Sequence, residues 1–181
     1  NCLVAIDCNI DAINCLFYNS RKSVLNLIGG SYSFLHCTIA NYYQWSMREG
    51  ATLSLNNMSG DNKYPLVKCD FINSIVYGTR ADEMNLNNIE SLNYKFINCL
   101  IRNKQELGGD EFINTIWNKN PEFFDLNSSG LYEYNFRLTE LSSAIGIADV
   151  KYSVDAMYDL SGKPRLRDGV SDAGCYEWIA E

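Results

Sequence analysis

The sequence predicts an all-β solenoid, a parallel β-helix in which short strands stack from coil to coil. Three observations favour it: a five-residue motif recurs along the chain, a shorter apolar segment precedes most copies, and asparagine is abundant, with 21 among 181 residues. Asparagine is depleted in ordinary strands and only moderate in helices, so an architecture that uses it at turns is required. No strong amphipathic helix pattern is present.

The recurring motif is apolar, polar, small, variable and apolar. Its copies are residues 13–17 (INCLF), 35–39 (LHCTI), 72–76 (INSIV), 97–101 (INCLI) and 113–117 (INTIW). Read with the two-residue period of a strand, the first, third and fifth positions share one face and line a narrow interior. His36 stands where the other copies have Asn, so we expect an outward ladder member beside Asn14 and Asn73 rather than a catalytic base.

Turn residues and a second strand complete each coil. The shorter strands are predicted at Leu3–Ile6, 24–28, 52–55 and Met84–Leu86, and turn signals follow three of them at Gly29-Gly30, Asn56-Asn57 and Asn87-Asn88. Two residues beyond the motif come residue types that tolerate left-handed backbone, namely Asn19, Asn41, Gly78 and Asn103. Two strands and a corner describe one rung, and irregular spacing between copies fits variable loops. The shortest step leads to residues 114–117, which are expected to end the stack.

A β-sandwich of short strands is the alternative, because it also fits a weak helix signal and frequent turns. A sandwich does not require one motif to recur with a small residue at its centre. The β-helix is therefore the favoured fold.

Composition bounds the partners of the chain. The length fits one domain, the formal charge is -7, and no basic stretch suits a row of phosphates, so nucleic acid is not expected. No apolar run approaches the roughly 20 residues that span a bilayer. The seven cysteines form no C-x-x-C pair, so neither a metal site nor a cofactor is predicted. Cys15, Cys37 and Cys99 are expected to be buried and reduced.

The C-terminal third carries a more specific pattern. Its elements are WNKNPEFF at 117–124, NFRL at 135–138, SSAIG at 142–146, DLSGKPR at 159–165 and DAGCYE at 172–177. Together with the strand motif, they resemble the C-terminal portion of right-handed parallel β-helix proteins of the pectate-lyase-like group, common among exported and surface lipoproteins of Gram-negative gut bacteria. Cys175 departs from the Ala of many relatives. Within this tail, Arg165 or Arg167 is expected to pair with Asp172 or Glu177.

The resemblance implies an exported protein associated with polysaccharide, extracellular or on the outer-membrane surface, with the periplasm as an alternative. It does not imply a reaction, because the fold hosts several activities. We predict β-helix rungs over residues 1–118 and an irregular C-terminal cap over residues 119–181 of the same domain. Since Leu3–Ile6 already reads as a strand of a rung, the natural protein is expected to continue upstream of Asn1.

Aromatic and basic residues near the motif are the candidate carbohydrate contacts. Tyr42, Tyr43 and Trp45 follow the second copy and can stack on sugar rings, although they can equally pack on their own loop. Hydroxyl or carboxylate contacts are assigned to outward positions and their loops: Tyr77, Arg80, Lys95 and Arg102. Asp82 and Glu83 are expected on a solvated rim. Catalytic residues are not assigned.

Three functions stay open from the sequence. The first is a polysaccharide-binding surface module. The second is a polysaccharide lyase or glycosidase whose active site lies partly in upstream rungs. The third is a purely structural or adhesive surface protein.

Overall fold

The computed structural model describes residues 1–86, 92–127 and 129–180, so the predicted turn at Asn87-Asn88 lies outside the described residues. Strands make up 41% of the structure. Helix in the described residues is confined to α1 (Val150–Ser153) and the 3-10 turn Val154–Ala156 that follows it. The predicted all-β class is therefore confirmed.

Three parallel sheets organise the first 117 residues. The first sheet contains β1 (Leu3–Ile6), β4 (Leu25–Ile28), β7 (Leu53–Asn56) and β12 (Met84–Leu86). The second contains β2 (Asn9–Ile13), β5 (Gly30–Leu35), β10 (Leu66–Ile72), β13 (Lys95–Ile97) and β15 (Phe112–Ile113). The third contains β3 (Leu16–Tyr18), β6 (Thr38–Asn41), β11 (Ile75–Gly78), β14 (Leu100–Ile101) and β16 (Ile116–Trp117).

Along the chain, strands of the first, second and third sheets follow one another in that order, and one run through the sheets is called a passage here. Each strand pairs in parallel with the strand that the preceding passage contributes to the same sheet. Four passages supply a strand to every sheet, and the final passage supplies only β15 and β16. A small antiparallel hairpin, β8 (Met58–Ser59) with β9 (Asn62–Lys63), is inserted in the third passage. The prediction of two strands per passage is thus wrong, since there are three.

The recurring motif is a corner between the second and third sheets and not one strand. Its second residue has a left-handed backbone in every copy, with φ of 54° at Asn14, 50° at His36 and 51° at Asn73. This conformation reverses the alternation of side chains, so β2 ends at Ile13 and β3 begins only at Leu16. The third and fifth positions face the core as predicted. The first position faces outward, and that part of the prediction is wrong.

The core repeats the same residue type from passage to passage. Phe34, Phe71, Phe96 and Phe112 are register partners on the second sheet, and their rings stack within 7° of parallel. The centroids of successive rings are 4.7, 4.9 and 5.2 Å apart. This spacing follows from the distance between neighbouring strands. Buried leucines of the first sheet fill the opposite side.

The C-terminal segment packs on the outer face of the third sheet. It contains the antiparallel hairpin β17 (Phe123–Leu126) and β18 (Tyr134–Leu138). Phe123 and Phe136 form a second core with Ile75 and Leu100, which the sequence placed on the outer face and which are fully buried there. The predicted ion pair is formed by Arg165 and Glu177, 3.0 Å apart and buried. Arg165 also donates to Oδ1 of Asn14 and so joins the segment to the first passage.

Candidate functional site

A cleft lies where the carboxyl ends of neighbouring third-sheet strands meet. Because the strands are parallel, the residues at and just beyond these ends gather at one edge of the sheet. The cleft has a volume of about 500 Å³. Its lining residues are Tyr42, Tyr77, Ala81, Arg102, Lys104, Asn118, Asn120 and Leu126.

Arg102 and Tyr77 are held together inside this cleft. The guanidinium carbon of Arg102 lies 5.4 Å from the centroid of the Tyr77 ring, and Nη1 donates to the carbonyl of Gly78 at 2.9 Å. Burial raises the pKa of Tyr77, and burial also raises the pKa of Tyr42. Both phenols keep their protons at neutral pH, as tyrosines with an ordinary pKa also do.

The charge of the cleft is opposite to that of the whole chain. Arg102 and Lys104 are cationic, and none of the described lining residues is acidic, although two carboxylates contact the lining: Asp82 accepts from the backbone N–H of Lys104, and Glu122 accepts from the side chain of Asn120. The formal charge of the chain is -7. Two cations and two phenols make a polar site suited to an anionic group that carries hydroxyls. The side-chain amide of Asn118 is already bonded to the backbone of Asn103, and that of Asn120 donates to Oε1 of Glu122.

An exposed aromatic platform adjoins the cleft. Trp45 stacks on Tyr132 with centroids 4.8 Å apart, and the Tyr43 ring lies 4.9 Å from Trp45. Trp45 is 48% exposed and Tyr132 is 56% exposed. The hydroxyl of Tyr134 donates to the carbonyl of Tyr42, which connects the platform to the cleft. Flat, solvent-facing rings are typical stacking surfaces for sugars.

Tyr132 has a backbone conformation that is uncommon for a bulky residue. Its φ is 61°, and its backbone N–H donates to Oδ1 of Asn127 at 2.5 Å. Strained backbone of this kind occurs at ligand sites, where the surrounding structure holds it. Tyr132 could not be identified from the sequence, because residues 43–45 and 132 lie far apart along the chain.

The structure divides the seven predicted contacts into three groups. Tyr42, Tyr77 and Arg102 come together in the cleft, and Tyr43 and Trp45 belong to the platform. Arg80 and Lys95 are in neither. The sequence missed Lys104, Asn118 and Asn120, although Asn118 could have been found as the residue that follows the last motif copy.

Arg80 and Lys95 have other surroundings. The guanidinium of Arg80 donates to the carbonyl of Arg48 at 3.1 Å, and its backbone N–H donates to Oε1 of Glu83. Lys95 is exposed at the start of β13, on the second sheet. Neither residue lines the cleft.

Glu83 is buried, and its predicted place on a solvated rim is wrong. Its two carboxylate oxygens each accept from Arg48 at 2.7 Å, and Oε2 also accepts from the hydroxyl and the backbone N–H of Thr52. Such a two-pronged, desolvated pair fixes the loop before β7 against the end of β11. Asp82 is exposed, as expected.

Comparisons with known proteins do not assign a family. No family model matches the chain, and no curated protein or solved structure matches it. The resemblance to pectate-lyase-like proteins therefore stays a prediction.

Residues 1–86, 92–127 and 129–180 hold no group of three His, Cys, Asp or Glu side chains placed to bind a metal ion. In the same ranges, no helix has the length and apolar character needed to cross a membrane.

Proposed function

We propose that the protein is a polysaccharide-binding module of an exported or cell-surface protein, built on a right-handed parallel β-helix. Support for the β-helix comes from three in-register parallel sheets that each gain one strand in four successive passages of the chain. Export and surface location rest on the resemblance of the C-terminal segment.

The observation that carries the proposal is the cleft, with its adjoining aromatic platform. Arg102 and Lys104 supply positive charge, the phenols of Tyr42 and Tyr77 donate hydrogen bonds, and Trp45 offers a ring face. This combination matches a polysaccharide that carries both carboxylate groups and apolar ring faces. Local positive charge in an acidic protein is effective at short range, because distant charges are screened by salt.

Binding is favoured over cleavage by the residue types in the cleft, since none of its described lining side chains is a carboxylate or an imidazole. A lyase needs a base beside its cation, and burial raises the pKa of both Tyr42 and Tyr77, which disfavours a phenolate base. A glycosidase needs two carboxyl groups roughly 5 to 9.5 Å apart. None of the described residues that line the cleft is acidic.

A glycan array on the intact protein tests the proposal, together with affinity electrophoresis through gels that contain alginate, hyaluronan or polygalacturonate. We expect retention by uronate polymers and little retention by dextran, which is neutral. An ultraviolet assay for unsaturated sugars is expected to stay flat. Absence of retention by every anionic glycan would favour a structural or adhesive role.

A further inference from the structure

Two further cavities lie on the outer face of the hairpin formed by β17 and β18. The two cavities have volumes of about 410 and 550 Å³ and share Phe124 and Arg137. We call them together the hairpin groove, with walls formed by Phe124, Arg137, Tyr176 and Trp178. The groove has no lining residue in common with the cleft.

Strand alternation explains why these side chains face outward. On β17, Phe123 is buried against the third sheet, whereas its neighbour Phe124 is 68% exposed. On β18, Phe136 is buried and Arg137 is exposed. Neighbouring residues in a strand point to opposite faces, so Phe124 and Arg137 share the solvent face of the hairpin.

Residues of the C-terminal tail form the opposite wall. The guanidinium carbon of Arg137 lies 5.8 Å from the centroid of the Tyr176 ring. Trp178 is half-buried, and its backbone N–H donates to Oδ2 of Asp172 at 2.8 Å. The aromatic walls are thereby fixed by the folded tail before any ligand arrives, which lowers the entropic cost of binding.

The charges around the groove decide which ligand it suits. Arg137 and Lys163 contribute positive charge to the lining, whereas Asp125, Glu133, Glu140 and Glu177 contribute carboxylates, the last of them paired with Arg165. An anionic ligand would meet these carboxylates, whereas a neutral ligand finds both donors and acceptors. Aromatic walls with mixed polar groups are the usual surroundings of a sugar ring.

We propose that the hairpin groove is a second binding site, which takes a neutral sugar ring stacked on Phe124 and Trp178. The proposal rests on the proposed function and deepens it, since it assigns anionic sugar residues to the cleft and neutral ones to the groove. A polysaccharide of alternating or mixed charge would then be engaged at two points, with the gain in affinity that two linked contacts bring.

Titration calorimetry with four neutral hexasaccharides, built from glucose, mannose, xylose or N-acetylglucosamine, tests the groove. We expect saturable binding of at least one of them to the intact protein. The Phe124→Ala variant is expected to lower that affinity more than tenfold. The control is Val67→Ala, an exposed apolar residue on the second sheet, which should bind as the unchanged protein does.

Two results would overturn the groove. One is no binding of any of the four hexasaccharides at millimolar concentration, and the other is equal affinity in Phe124→Ala and the unchanged protein. Retention by uronate polymers reports on the cleft alone. If the protein binds none of the hexasaccharides but is still retained by uronate polymers, the groove proposal is wrong while the proposed function stands.

Discussion

Nε2 of His36 lies 3.1 Å from the amide nitrogen of Asn73, inside a column in which the corresponding residues of the other passages are asparagines. The same His36 atom lies 2.9 Å from the hydroxyl of Ser153, which belongs to the C-terminal segment. His36 is completely buried because the C-terminal segment covers the outer face at this point, and its predicted outward place in the ladder beside Asn73 is confirmed. The column continues through Asn98 and Asn114 by amide hydrogen bonds.

Acid is expected to destabilise the protein through His36. Burial, and secondarily the charge of Arg165, lower the pKa of His36 from 6.5 to about 3. The folded state then binds fewer protons than the unfolded state between these values, so stability is full above pH 6.5 and is lost as the pH falls towards 3. The loss attributable to this one group is about 4 to 5 kcal/mol. Urea unfolding at several pH values measures it.

The His36→Asn variant is the matched control for this pH dependence. It restores the residue that the other passages have at this corner and tolerates the left-handed backbone. We expect a flatter stability profile between pH 3 and 6.5 than in the unchanged protein, since the carboxyl groups titrate in both. Identical profiles would contradict the role of His36.

Removal of the Glu83 side chain should lower the free energy of unfolding by far more than removal of an exposed charged side chain. Glu83→Ala leaves the guanidinium of Arg48 buried without its partner, and the free energy of unfolding should fall by about 3 to 5 kcal/mol. Lys68→Ala breaks the half-exposed pair with Asp70 and should change it by less than about 1 kcal/mol. Similar losses in both variants would refute a structural role of the Arg48–Glu83 pair.

Substitution at the centre of the stacked phenylalanine column should strongly lower the free energy of unfolding. Phe71 stacks between Phe34 and Phe96 and is fully buried, so Phe71→Ala should lower the free energy of unfolding by about 3 to 5 kcal/mol. Phe71→Leu keeps most of the volume and should cost less. Val67→Ala, at an exposed position of the same strand, should have little effect. Chemical denaturation provides all three values, and a loss in Phe71→Ala no larger than in Val67→Ala would contradict the stacking.

Alkylation of the native protein should separate the thiols by position. Cys2 and Cys8 are exposed and should react with iodoacetamide at pH 7, whereas Cys37 and Cys99 should react only after unfolding. Cys15 was predicted to be buried but is half-buried. Its hydrogen bond with Cys37 lowers the pKa of the Cys15 thiol to about 6. We therefore expect Cys15 to react slowly in the native protein. Mass spectrometry that finds a disulfide between any two of Cys15, Cys37 and Cys99 would contradict the register.

The first-sheet strands could be predicted from the sequence because each is a short run rich in apolar residues, and three of the four end at or just before Gly or Asn. The structure begins β1 at Leu3 and β12 at Met84, as expected, and the other two within one residue. The corner at the motif could not be found in the same way. A period of two is valid only while a strand continues, and the left-handed residue at Asn14 or Asn73 interrupts it.

The site was partly predictable for a related reason. Tyr42, Tyr77 and Arg102 follow or end third-sheet strands, so the repeat itself placed them at one edge. Tyr132 and the hairpin groove depend on how the C-terminal segment packs back on the third sheet. The apolar outward residues Ile75 and Leu100 were the indication of that packing, since exposed apolar columns require a cover.

The most direct test of the central claim is the affinity of the Trp45→Ala/Arg102→Ala double variant for a uronate polymer, measured by affinity electrophoresis beside Lys63→Ala, an exposed lysine on β9. The account predicts more than tenfold weaker binding in the double variant, no change in Lys63→Ala, and a similar urea midpoint in all three proteins. Unchanged binding in a correctly folded double variant would contradict the cleft and its platform as the glycan site.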